Sequence, residues 1–189
     1  ERLSESDVPH PTLEVVFTVS EESGNHGAHG LDYSRLRSKK GYISDASGQR
    51  FGDLIIASPY YVRFDARILG KPAHASLPQE AVNALSVFSE AYQLLSVGKV
   101  SQHTTVNVGM VQCGEVVNTV PGEVMFSGEV RSMKEEELEE VVGKVGSTIT
   151  DTALRQGASA HLTTVRENGG FLYEKNDPFV CQTEKFLRQ

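Results

Sequence analysis

Apolar and charged side chains alternate within residues 61–69, YVRFDARIL. A period of two puts the apolar side chains on one face of a strand and the charged ones on the other, so this segment predicts a half-buried β-strand. The strand limits the possible folds, because its apolar face requires a second layer of structure to cover it.

The sequence after this strand predicts two helices and three more strands. Ser132 and Glu135 have the spacing of a capping box, which favours the start of a long helix just after them. The predicted elements, in chain order, are a helix over 80–97, strands over 103–111 (HTTVNVGMV) and 123–131 (EVMFSGEVR), a helix that ends at Gly157, and a strand over 158–165 (ASAHLTTV). The order β-α-β-β-α-β predicts a ferredoxin-like unit, in which two helices pack on one face of a four-stranded sheet.

The flanking residues predict pieces of another domain. Short apolar runs favour strands, and a helix is expected to begin near Asp177 after a turn at 168–170. The predicted strands are EVVFTV (14–19), GYISDA (41–46) and DLIIAS (53–58), with a short helix in 29–41. We therefore expect an α/β domain, residues 1–58 and 169–189, that is interrupted by the insertion 59–168. Both chain ends are expected to be cuts through a larger protein.

Charge and cysteine content exclude some classes of function. The formal net charge of −7 comes without a basic stripe, which argues against nucleic acid as a partner. We expect no membrane partner, because no apolar run approaches the roughly 20 residues that span a bilayer. Cys113 and Cys181 are the only two cysteines and make no disulfide framework, so a cytoplasmic location is expected.

Three carboxylates follow predicted strands. Glu21 and Glu22 come directly after the run 14–19, and Asp45 ends GYISD. The carboxyl ends of strands in an open α/β sheet share one edge, so these side chains are expected to converge. Converging carboxylates repel unless a divalent cation holds them. The alternative is a solvated turn, and spacing alone favours that simpler interpretation.

Four motifs together resemble the dinuclear zinc metallopeptidase family of peptidase T, carboxypeptidase G and succinyl-diaminopimelate desuccinylase. The resemblance is nearest to the tripeptidase branch, and it covers essentially the whole chain. The motifs are FTVSEESG (17–24), HGLDYSRLRSKKGYISDASG (29–48), GKPAHASLPQEAVNAL (70–85) and VVNTVPGEVMFSGEVRS (116–132). The fold implied is part of a catalytic α/β domain, interrupted by a ferredoxin-like lid that also serves for dimerisation.

The resemblance also implies roles for particular residues. Glu21 matches the general base, which takes a proton from metal-bound water, and Glu22 and Asp45 match ligands of the two zinc ions. The remaining ligands of the family have no counterpart in this chain, so the chain alone is expected to be inactive. His74, Asn118 and Arg131 match substrate-binding residues of the lid. The alternatives are a loop-capping role for His74 and an ordinary surface role for Arg131.

The implied function is metal-dependent hydrolysis of short peptides by a homodimer that forms through the lid. Three alternatives stay open. Relatives with the same skeleton hydrolyse N-acyl amino acids or remove C-terminal residues; the chain could be only a lid or dimerisation module; or it could be a degenerate relative without chemistry.

Overall fold

The computed structural model describes residues 12–22, 24–44, 50 and 52–187. The chain forms two compact units, Glu1–Asp53 and Leu54–Gln189. Asp45, a predicted metal ligand, lies outside the described residues. The predicted domain boundaries at 58/59 and 168/169 stay predictions.

The second unit is built on an antiparallel sheet. The strands are β1 (Ala57–Leu69), β2 (Ala73–His74), β3 (Gly98–Lys99), β4 (Thr104–Cys113), β5 (Thr119–Val120), β6 (Glu123–Ser132) and β7 (Ser159–Leu172). The helices are α1 (His26–His29) in the first unit, and α2 (Ala84–Leu94), α3 (Glu135–Arg155) and α4 (Pro178–Leu187) in the second, with short 3-10 helices at Tyr33–Arg35 and Pro78–Glu80. Five strands form one sheet in the order β3-β4-β6-β1-β7, and β2 and β5 form a separate two-stranded sheet.

The ferredoxin-like prediction is confirmed. Without the short edge strand β3, the sheet order is β4-β6-β1-β7, so the first strand lies between the third and the fourth. Helices α2 and α3 pack against each other and against β1 and β6, and α3 also packs against β7. This is the connectivity of two split β-α-β units.

The core lies between the sheet and these two helices. In β1 every second side chain from Val62 to Ile68 is buried, as the alternation predicts. Phe64 meets Phe126 of β6 edge to face, with 6.5 Å between the ring centroids. Burying a side chain of this size contributes about 1.5–3 kcal/mol, so the shared apolar face of β1 and β6 is a major source of stability.

The boundaries of both long helices differ from the prediction. Helix α2 begins at Ala84 because the Asn83 side chain accepts hydrogen bonds from the backbone N–H groups of Leu85 and Ser86. The predicted capping box at Ser132 is wrong, since Lys134 is the N-cap of α3. Ser132 is still part of β6, where its buried hydroxyl bonds to Thr104 Oγ1 at 2.7 Å. Gly157, with a φ of 72°, follows the end of α3 as predicted.

The predicted strands of the first unit are absent from the residues that the structure describes there. The segment 14–19 is irregular and exposed, with Phe17 91% exposed, and residues 41–44 are also irregular. The predicted helix in 29–41 is only the 3-10 turn Tyr33–Arg35, after the end of α1. A carboxylate links two segments: Glu14 accepts hydrogen bonds from the backbone N–H groups of Arg37 and Ser38. The Ser38 side chain, and then these two backbone groups, lower the pKa of Glu14.

Two predictions for the second unit also need correction. Only residues 57 and 58 of the predicted strand DLIIAS belong to a strand, β1. The turn predicted at 168–170 is instead part of β7, which continues to Leu172. Gly170 keeps β7 beside Tyr60 there, because its φ of 63° and the close approach of Tyr60 leave no room for a Cβ atom. Within the described ranges, no helix is long and apolar enough to cross a membrane.

Candidate functional site

His74 and Asn118 lie on two paired backbone segments at one end of the second unit. Strands β2 and β5 form a small antiparallel ribbon there, in which His74 pairs with Thr119. The backbone N–H of Ala75 donates to the carbonyl oxygen of Asn118 at 2.9 Å. We call residues 71–78 and 115–120 the tip. Its backbone pairing brings two of the predicted substrate-binding residues together.

Two glycines allow the chain segments at the base of the tip to cross closely. Gly70 donates its N–H to the carbonyl oxygen of Gly122 at 2.9 Å. A Cβ atom on Gly70 would overlap the carbonyl oxygen of Val82, and one on Gly122 would lie 2.5 Å from Cδ of Pro72. Because backbone atoms cannot give way like a flexible side chain, these positions require glycine.

Ser76 orients the imidazole ring of His74. The backbone N–H of Ser76 donates to Nδ1 of His74 at 3.2 Å. The Ser76 hydroxyl also lies 2.7 Å from the same nitrogen. A ring nitrogen that accepts an N–H bond carries no proton, so in the neutral ring the proton is assigned to Nε2. His74 is exposed, so its Nε2–H is a donor available to a ligand.

A β-turn at the end of the tip presents Asn118. The backbone N–H of Thr119 approaches the carbonyl oxygen of Val116 at 3.4 Å, which makes Val117 and Asn118 the two central residues of the turn. Both central side chains are exposed, and Val117 is fully so. The tip therefore offers a ring N–H and a side-chain amide beside exposed apolar surface.

Arg131 lies near the other end of β6, where two neighbours hold its side chain. Its Nε and Nη2 donate to the two carboxylate oxygens of Glu129, at 2.9 and 3.1 Å. Its Cζ atom also lies 4.4 Å from the centre of the Tyr61 ring. The hydrogen bonds to Glu129 are the main reason that the pKa of Arg131 is raised. We call Tyr61, Glu129 and Arg131 the arginine end.

The structure does not bring Arg131 to the tip of the same chain. Eight residue steps of extended strand run from Glu123, next to the tip, to Arg131. At about 3.3 Å per residue this distance is about 26 Å. A fully extended tripeptide spans at most about 11 Å, so one short peptide cannot contact both ends of one chain.

Glu21 and Glu22 lie in an exposed turn of the first unit. The carbonyl oxygen of Glu21 accepts hydrogen bonds from the backbone N–H groups of Gly24 and Asn25, both at 3.1 Å. Asn25 has a φ of 56° and precedes helix α1. Both glutamate side chains are exposed, so they are accessible as the predicted roles require.

Comparison with known proteins assigns the family. Residues 56–156 match the peptidase dimerisation domain of the M20 peptidases. The chain belongs to the M20 peptidase family. This match covers β1 to α3 and therefore contains His74, Asn118 and Arg131. The family that the motifs resemble is thus confirmed, whereas the roles of the individual residues stay predictions.

Two solved M20 structures share the architecture. Aminopeptidase PepT from Bacillus cereus matches with a TM-score of 0.87 and 34% identity, over 94% of this chain and 48% of that one. A tripeptidase from Staphylococcus aureus matches with a TM-score of 0.87 and 33% identity, over 90% of this chain and 46% of that one.

The chain is also similar to curated proteins, one of which is a deacetylase and not a peptidase. The uncharacterized protein YqjE of Bacillus subtilis is 34% identical over 94% of this chain and 48% of its own length. An N-acetyldiaminopimelate deacetylase of Limosilactobacillus fermentum is 25% identical over 96% of this chain and 50% of its own length. The chain spans about half the length of these relatives and of the two solved structures.

The described residues do not by themselves fit the dinuclear metal centre that the M20 resemblance implies. Within the part of the chain that the structure describes, no three His, Cys, Asp or Glu side chains are grouped to hold a metal ion. Glu22 is exposed in a turn, and Asp45 lies outside the described residues. Both stay predicted ligands.

Three residues that contact the predicted site residues were not predicted from the sequence. Ser76 lies two positions after His74, and Glu129 lies two positions before Arg131 on the same strand face. Both spacings of two residues are visible in the sequence and could have indicated these contacts. Tyr61 offered none, because its place beside Arg131 depends on the register between β1 and β6.

Proposed function

We propose that the whole protein hydrolyses short peptides that have a free N-terminus, and that the second unit supplies the groups that bind the substrate. One observation carries this proposal: His74 and Asn118 are adjacent on the exposed tip of a unit that resembles those of an aminopeptidase and a tripeptidase. The exposed ring N–H of His74 is suited to binding a peptide carbonyl, and Asn118 adds an exposed side-chain amide on the same tip.

The tip is proposed to stabilise negative charge on the carbonyl oxygen during attack. The Nε2–H of His74 is free of the Ser76 contacts, which involve Nδ1. A donor fixed before the reaction stabilises a developing oxyanion without a reorganisation cost. Glu21 is the proposed general base, which accepts a proton from the attacking water and passes it to the leaving amine.

Arg131 is proposed to bind the C-terminal carboxylate of the peptide. Glu129 occupies Nε and one Nη2–H, which leaves both N–H bonds of Nη1 and one of Nη2. These remaining donors have the geometry to bind a carboxylate through two parallel hydrogen bonds. Short peptides with a free carboxylate are therefore the proposed substrates.

The distance between the two ends supports a homodimer as the active form. One tripeptide cannot contact the tip and the arginine end of the same chain, but it can contact the tip of one copy and the arginine end of another. The free edge of β4 is the proposed contact. Strand β3 pairs with Thr105 and Val106 of β4, and among the residues that the structure describes no strand pairs with 107–113 on that side. Unpaired edges of this length favour pairing with another chain.

A cysteine scan tests this edge. Cys113 and Cys181, both free thiols, are first replaced by serine. Single cysteines are then placed at 105, 107 and 110 in β4, and at 161, 163 and 165 in β7 as the matched control edge. In a two-fold interface along β4, the residue nearest the symmetry axis lies opposite the same residue of the other subunit. A cysteine at that position should therefore give a disulfide-linked dimer on oxidation. A monomer by light scattering, or cross-linking through β7 alone, would reject the β4 interface.

A substrate panel on the full-length protein tests the activity. Tripeptides should be cleaved from the free N-terminus, and the matching N-acetylated tripeptides should not. The alternative is an N-acyl amidohydrolase, which the similarity to the N-acetyldiaminopimelate deacetylase favours. Selective deacylation without tripeptide cleavage would replace the peptidase proposal with that alternative. No turnover of either class would favour a lid or dimerisation module without chemistry of its own.

Metal dependence is proposed for the whole protein. Glu22 and Asp45 are the residues of this chain proposed to contribute ligands, and the ion would supply a Lewis acid and an activated water. Metal analysis of the full-length protein, with Glu22→Gln and Asp45→Asn, checks this: each variant should lower the bound metal per chain. Unchanged metal content in both would reject these ligands. The cytoplasmic location also stays a proposal.

A further inference from the structure

The side chain of Arg131 is fixed before any ligand binds. An exposed arginine on a strand ordinarily samples many rotamers, and a ligand that binds it must restrict them. Here Glu129 takes two N–H bonds, and the ring of Tyr61 lies against the guanidinium group. Two independent contacts therefore define both the direction and the plane of the guanidinium.

The fold determines the positions of these two contacts. Tyr61 faces Arg131 directly across the β1–β6 pair. Glu129 lies two residues before Arg131, so both side chains are on the same face of β6. Burial raises the pKa of Tyr61, so the ring stays neutral near pH 7 and presents an aromatic face to the cation.

The orientation leaves a defined set of donors available. The side of the guanidinium formed by Nε and Nη2 is paired with Glu129, whereas the end formed by Nη1 and Nη2 meets no second carboxylate in the part of the chain that the structure describes. That end matches the two oxygens of a carboxylate, and it cannot bind the single oxygen of a primary amide in the same way. The partial exposure of Arg131, 45% for its side chain, gives a ligand access to it.

We propose that Tyr61 and Glu129 are positioning residues for substrate specificity, which hold Arg131 so that its free end selects peptides with a C-terminal carboxylate over the corresponding amides. This inference rests on the proposed function, since it takes Arg131 as the carboxylate-binding group. Tyr61 and Glu129 act through Arg131 and do not touch the reacting atoms.

The test compares one tripeptide as its free acid and as its C-terminal amide, with the full-length enzyme. The readout is the KM for the acid relative to the KM for the amide. Tyr61→Leu removes the aromatic face, and Glu129→Asp keeps the charge but shortens the reach to the guanidinium. Each should raise this ratio about five-fold, because each removes one restraint on Arg131. Tyr61→Phe keeps the aromatic face, so this variant should have the same KM ratio as the wild type.

A matched control comes from the other end of β6. Glu123 also pairs with an arginine, Arg67, on the same face of the sheet. Glu123→Asp should leave the ratio unchanged. If Arg131→Lys raises the ratio while Tyr61→Leu and Glu129→Asp do not, the positioning role is wrong although the carboxylate role of Arg131 stands. If the wild-type enzyme cleaves no peptide, the proposed function itself fails. If Arg131→Lys leaves the ratio unchanged in an active enzyme, both roles are rejected.

Discussion

The tip and the arginine end hold their candidate functional groups in different ways. At the tip, backbone pairing between β2 and β5 and the close crossing at Gly70 and Gly122 place His74 and Asn118. At the arginine end, side chains hold Arg131 through an ion pair and an aromatic ring. The difference follows from chemistry: a backbone N–H and a hydroxyl orient the ring of His74, whereas the permanent cation of Arg131 is oriented by a carboxylate and an aromatic face.

The largest expected effect is at the tip. His74→Ala should lower kcat of the full-length enzyme about 100-fold with a smaller change in KM, because a lost donor to the oxyanion acts mainly in the transition state. His161→Ala, at an exposed histidine on β7, is the control and should leave kcat unchanged. Equal kcat values for His74→Ala and the wild type would remove the tip from the catalytic site.

A glycine substitution should damage the tip through its backbone. Gly70→Ala places a Cβ atom against the carbonyl oxygen of Val82, so we expect the free energy of unfolding to fall by about 1–3 kcal/mol. Gly143→Ala is the control, because Gly143 lies in α3 with open space around it. That variant should gain about 0.5–1 kcal/mol. Urea unfolding measures both, and a neutral Gly70→Ala would show that the crossing can relax.

The arginine end should affect binding more than turnover. Arg131→Lys replaces a two-pronged donor with a point charge, so KM for a tripeptide with a free carboxylate should rise about 10-fold, with little change in kcat. Arg67→Lys is the control, at an arginine that pairs with Glu123 beside the tip. If Arg131→Lys instead lowers kcat and leaves KM constant, the assignment of substrate binding to the arginine end and of chemistry to the tip is wrong.

The smallest effect concerns the ion pair beside the tip. The hydrogen bond from Arg67 lowers the pKa of Glu123, so the folded state favours the ionised carboxylate. Its contribution to stability is present above the unfolded pKa of about 4.3 and is lost as the pH falls through the lower folded pKa. The wild type and Glu123→Gln should therefore differ slightly in unfolding free energy at pH 6 and converge at low pH. A difference that stays constant down to pH 2 would contradict this assignment.

The fold was predictable from the sequence where the alternation of apolar and polar residues within one segment already shows which face is buried. The alternation in β1 marks the face that the helices cover, and the order of elements predicts the sheet order. The first unit shows the opposite case. The run at 14–19 has high strand propensity, but a strand forms only with partner strands, and Phe17 is almost fully exposed.

The candidate site was predictable only in part. The motifs point to His74, Asn118 and Arg131, and the structure places the first two together at the tip. The separation of Arg131 from them depends on β6 being extended along its whole length. The contact with Tyr61 depends on strand register, and one strand alone does not contain that information.

In the proposed homodimer, the tip of one copy and the arginine end of the other bind the same substrate. Subunit complementation tests it most directly, with full-length His74→Ala and Arg131→Ala enzymes assayed at a tripeptide concentration far below KM, where each variant retains little activity. Refolding equal amounts together should make about half of the dimers mixed, and each mixed dimer has one intact site out of two. We therefore predict recovery of about one quarter of the wild-type activity. If the mixture is no more active than the sum of the two separate variants, both ends act within one chain and the claim is wrong.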